Sequence, residues 1–124
     1  MNKMKYLLVI ISLLFTVQLS AQQKVLLDQV EDIERMAAQE FKVAMSEPEG
    51  SLYLFGQENN IEGIYTFKIS IGEKNKVTSV FVIERKGGDI PMQNKVKDAI
   101  KDFKFDSFKV PKGKHYNIKY SFQF

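Results

Sequence analysis

The chain offers few side chains that make or break bonds. His115 is its only histidine and it has no cysteine. A nucleophile therefore has no base to activate it beyond that one imidazole, and no second histidine or thiolate exists to join His115 at a zinc ion. His115 reads as a solvated residue at the start of a strand. Glu31, Asp32 and Glu34 could pair for acid–base work, but their spacing sets them on the water-facing side of a helix, where carboxylates contact solvent. Gly87-Gly88 lacks the spacing and the lysine of a phosphate-binding loop. The expectation is a protein that is not an enzyme and has no catalytic residue, no cofactor and no metal. Binding is the chemistry left to it.

The elements that position any binding surface follow from periodicity. Between Lys24 and Ser46, Leu26, Val30, Ile33, Ala37, Phe41 and Ala44 recur at spacings of three and four, which predicts an amphipathic helix. Acids crowd its first half, at the positive end of the helix dipole. Pro48, Glu49 and Gly50 end it. A short apolar stretch over Leu52–Phe55 reads as a brief strand before the polar turn at Asn59 and Asn60. Tyr65–Ile71 then alternates apolar with polar residues, the pattern of a strand with one wet face. Turn chemistry follows at Gly72-Glu73-Lys74-Asn75. Val77–Glu84 carries apolar side chains on both faces, which predicts a central, doubly covered strand.

Gly87-Gly88 breaks that strand. Asp89 caps a second helix with Pro91 in its first turn and Met92, Val96, Ile100 and Phe103 as its apolar stripe. The final strand is the clearest: Tyr116, Ile118, Tyr120, Phe122 and Phe124 point one way, Asn117, Lys119, Ser121 and Gln123 the other. The order is helix, short strand, hairpin, helix, strand. It predicts a two-layer α+β domain, a small antiparallel sheet with a helix packed across it.

Residues 1–21 have the three-part layout of an export signal: Lys3 and Lys5, an apolar run from Tyr6 to Leu19, then small Ser20 and Ala21. The expected products are a signal peptide over 1–21, cleaved near Ala21, and a periplasmic or secreted chain of one domain, with residues 22–50 as a helical part of it and 51–124 as its α+β body. An uncleaved anchor is the competing reading, but the run is short of the roughly 20 apolar residues a span needs. No stable membrane span is expected after cleavage. Removing a signal with two lysines and no acids leaves 16 basic and 15 acidic residues, a net of +1. That near balance argues against nucleic acid as a partner. The remaining charge is uneven: residues 22–62 carry −6 and residues 63–124 carry +7.

From about Glu62 to Phe124 the residues Glu62-Gly63-Ile64-Tyr65, Lys76-Val77-Thr78-Ser79-Val80, Asp102-Phe103-Lys104-Phe105, Pro111-Lys112-Gly113-Lys114 and Ser121-Phe122-Gln123-Phe124 follow one family pattern. In that order they resemble the C-terminal domain of TonB-like energy transducers. Asp106–Val110 intervene before the proline, and only three prolines occur in the chain, so the long proline-rich spacer of a full transducer is missing. The resemblance implies a ββαβ domain without force transmission. It also implies a last strand at a sheet edge, where Tyr116, Asn117, Ile118, Lys119, Tyr120, Ser121, Phe122 and Gln123 accept an extended segment of an outer-membrane or envelope protein through main-chain groups. The outward polar residues would equally protect such an edge from aggregation.

Two functions are carried forward. One is an interaction module that binds a protein, a peptide or a second copy of itself as a homodimer. The other is a small-ligand or envelope-polymer binding protein with a pocket between the N-terminal helix and the sheet.

Overall fold

The computed structural model describes residues 24–124, so the expected export signal and its cleavage point lie outside the described residues. Within them the architecture is the expected α+β one, a three-stranded antiparallel sheet carrying helices on one face.

The N-terminal helix is shorter than its periodicity predicts. Val25–Leu26 is instead a short strand, β1, which runs parallel to Phe108–Lys109, later in the chain. The helix α1 spans Val30–Ala44. Ile33, Ala37, Phe41 and Ala44 on its apolar stripe are buried, whereas Leu26 and Val30 at the front of the pattern are exposed. Leu52–Phe55 is not a strand but part of a second helix, α2, Ser51–Glu58. Its buried residues, Leu52 and Gly56, sit four apart on one face, and Leu54 points to water. A Cβ on Gly56 would stand 2.6 Å from the ring of Phe124, so the helix can approach the chain's last residue only because that side chain is absent.

The sheet is built from β2 (Ile64–Ile71), β3 (Val77–Lys86) and β5 (Tyr116–Gln123) in the order β3-β2-β5. Glu73–Asn75 form a short 3-10 turn between β2 and β3, with Lys74 and Asn75 in the left-handed region at φ 61° and 57°. The central strand is therefore β2, whose Tyr65, Phe67, Ile69 and Ile71 are fully buried. The expectation of a central β3 fails: it is an outer strand, and Phe81, Val82 and Ile83 are exposed. A shift in register between Thr66 and Phe67 falls where Ile83 lacks an opposing residue, so the second half of β3 is bulged against its neighbour.

The helix α3 spans Ile90–Lys101 and connects the two outer strands. Asp89 caps it as expected, its Oδ1 accepting the Met92 N–H at 2.8 Å, with Pro91 in the first turn. Phe108–Lys109, the strand β4, follows and pairs with β1. The helices α1 and α3 pack on β5 and β3 respectively. One core joins them: the Phe41 ring of α1 lies 4.9–5.2 Å, centroid to centroid, from Phe103, Phe105, Tyr120 and Phe122. No helix among the described residues is long and apolar enough to cross a membrane.

Candidate functional site

The strand marked out for binding, Tyr116–Gln123, forms β5 over that same range, paired antiparallel with β2 on one side and, among the described residues, with no strand on the other. Its alternation is as expected, with Ile118 and Phe122 buried and Asn117, Lys119, Ser121 and Gln123 exposed. Much of its polar face is already engaged with β2. Ser121 Oγ lies 2.7 Å from Thr66 Oγ1, and Asn117 Oδ1 accepts a hydrogen bond from the Ser70 hydroxyl. Tyr116 donates its hydroxyl proton to the Asp28 carbonyl at 3.2 Å. Lys119 stands directly opposite Lys68, a pairing of like charges that disfavours the sheet unless water or an anion intervenes.

The other outer strand has a different surface. Phe81, Val82 and Ile83 of β3 expose 63%, 38% and 49% of their surface, beside a backbone edge that no strand among the described residues pairs. Phe81 is opposite Lys68, whose Nζ sits 5.8 Å from the ring centroid. The wet face of the sheet thus carries a row of Phe81, Lys68 and Lys119. Periodicity marked these β3 residues as apolar on both faces, but it assigned the cover to the chain itself.

At Phe41 that ring and its four aromatic neighbours fill the space between the N-terminal helix and the sheet. A depression of about 680 Å³ is bordered by Val43, Gly50 and Phe103. Glu40 lines it too, but its carboxylate accepts the Asp106 N–H at 2.8 Å, the Ser107 N–H at 3.3 Å and the Ser107 hydroxyl at 2.6 Å. That carboxylate holds the loop ahead of β4 against α1. A smaller pocket of about 320 Å³ is lined by Lys24, Lys74, Asn75, Lys104, Lys109 and Val110.

The residues with catalytic potential are not brought together. His115 is exposed, its ring against Gly72. Glu31 and Glu34 are exposed, and Asp32 pairs with Arg35 at 3.2 Å. Among the described residues no three His, Cys, Asp or Glu side chains are placed to hold a metal ion. Two phenols are perturbed: burial holds both Tyr65 and Tyr120 above the ordinary tyrosine value, and the charge of Asp89 raises Tyr65 further. Neither phenol lies at a cavity named above.

No protein-family model, no curated protein and no solved structure matches the chain.

Proposed function

We propose that this chain is an exported, non-enzymatic interaction module that takes an extended segment of another envelope protein as an added strand of its small sheet. The observation that carries the reading is the outer strand β3, ten residues long, with Phe81, Val82 and Ile83 exposed along an unpaired edge. An exposed apolar edge of that length is a hazard to a lone protein and an asset to one with a partner. Main-chain hydrogen bonds supply the affinity in such a mode and alternate side chains the selectivity. On one face the partner's side chains would lie beside Phe81 and the Lys68 ammonium over its ring, and on the other beside Val82, so the fitting segment alternates acidic with apolar residues. Four to six main-chain bonds at about 1 kcal/mol each, less the cost of association, make the contact weak and reversible.

The ββαβ order with its first strand central supports a likeness to the TonB C-terminal domain, and that likeness implies β5 as the acceptor. The side chains favour β3: the exposed residues of β5 are polar, with Lys119 at their middle, the composition that shields an edge.

The test is a titration of isotope-labelled protein with a short peptide of alternating valine and glutamate, read by amide chemical shifts. Shifts running along Val77–Lys86 are expected. Shifts along Tyr116–Gln123 instead would move the acceptor to β5, and none on either strand at millimolar peptide would remove strand addition as the function.

A further inference from the structure

The excess positive charge of residues 63–124 gathers partly at one end of the fold. Lys74 belongs to the 3-10 turn, Lys104 to the loop after α3 and Lys109 to β4, while Lys24 stands just ahead of β1. These four, with Asn75 and Val110, line the pocket of about 320 Å³. Lys76, Lys101 and Asp102 line an adjoining depression that shares Lys104. No carboxylate lines the pocket of Lys24, Lys74, Lys104 and Lys109, and among the described residues none of these four lysines is in an ion pair. Glu73, next to Lys74, gives its carboxylate to the Gly113 N–H.

Asn75 is the second observation. It is 3% exposed, its backbone is held in the left-handed region at φ 57°, and its carbonyl accepts the Phe105 N–H at 3.2 Å. Its side-chain Oδ1 is buried with no hydrogen-bond partner. Leaving such an atom unsatisfied is costly. The two ends of an amide have nearly the same shape, so the group can turn and offer a bound molecule either an acceptor or a donor.

We propose that this pocket binds an anionic sugar unit, one bearing a phosphate or carboxylate beside free hydroxyls. Four lysines with no ion-pair partner among the described residues select an anion. The amide of Asn75 satisfies a hydroxyl and is satisfied by it. At about 30 Å³ per water the pocket holds roughly ten waters' worth of ligand, the size of one charged sugar and too little for a helix or a strand. The inference is independent of strand addition, which uses the exposed Phe81–Ile83 part of β3.

Calorimetry and the side-chain amide resonance of Asn75 test it, with three probes: inorganic phosphate, glucose 6-phosphate and a trimer of galacturonate. One of the sugar probes is expected to bind at least about tenfold more tightly than inorganic phosphate and to shift the Asn75 side-chain signal. Tighter binding of the trimer assigns the site to an acidic polymer; tighter binding of glucose 6-phosphate assigns it to a free sugar phosphate. N75G keeps the left-handed turn, since glycine adopts it freely, and is expected to abolish the preference for sugar over phosphate. K104Q with K109Q is expected to weaken all three probes about tenfold or more at an unchanged melting temperature. Equal binding of phosphate and sugars, a preference that survives N75G, or no binding of any probe at millimolar concentration would each overturn the proposal.

Discussion

Tyr65 shows how one residue ties the fold's corners together. Its ring is fully buried in the central strand, and its hydroxyl donates to the Glu62 carbonyl at 2.7 Å. Gly88 lies against that hydroxyl so closely that a Cβ there would stand 2.1 Å away, and Gly88 also has φ +65°. The pair at Gly87-Gly88 was legible as a strand break, but not as the wall of a phenol's hydrogen bond, since that contact joins distant parts of the chain. Because burial and then the Asp89 charge raise the Tyr65 pKa above 10.0, the folded state keeps a proton that the unfolded chain loses first. The stabilisation is complete below pH 10 and is lost as pH climbs through the raised folded value. Tyr65→Phe cannot titrate. It is expected to lose about 1 kcal/mol at neutral pH with the hydrogen bond and to show a shallower fall in stability above pH 10 than the parent. Urea unfolding of both proteins on either side of pH 10 measures this, and parallel curves would mean that Tyr65 ionises equally in both states.

At the scale of elements, β2, α3 and β5 were legible because each has a clean period and a clear cap or turn. Three readings changed, each for a physical reason. The apolar pattern of α1 ran on into Leu26, yet β1 is captured by β4, a contact too distant in sequence for a periodicity window to register. Ser51–Glu58 is eight residues long, and its signal was only the spacing of Leu52, Phe55 and Gly56. The strand β3 has apolar residues on both faces, and that pattern is the same whether a strand is covered by its own helices or exposed for another molecule. The second case makes a prediction. Phe81→Thr with Ile83→Thr removes exposed side chains, so stability should change by no more than about 0.5 kcal/mol per site, while binding of the alternating peptide should weaken. By contrast Val80→Thr, at a site 4% exposed, should destabilise the protein. Unchanged peptide binding in the double variant would show that β3 is not the acceptor edge.

For the whole molecule, the sequence showed a charge imbalance but not its location, because Lys24, Lys74, Lys104 and Lys109 meet only through the pairing of β1 with β4 and the packing of the 3-10 turn against β4. The N-terminal helix was expected to be part of the one domain. Its burial decides the geometry: Ile33, Ala37 and Phe41 have no exposed surface, and Phe41 touches rings from β5 and from the segment after α3. Removing that ring should therefore weaken the entire fold. Phe41→Ala is expected to cost about 3–5 kcal/mol, a large share of the roughly 5–15 kcal/mol that holds a domain together. The loss should appear equally in the hydrogen-exchange protection of the slowest amides of α1 and β2, since they share one cooperative unit. A variant in which α1 exchanges freely while β2 keeps its full protection would make the helix an appendage, able to leave the sheet without unfolding it.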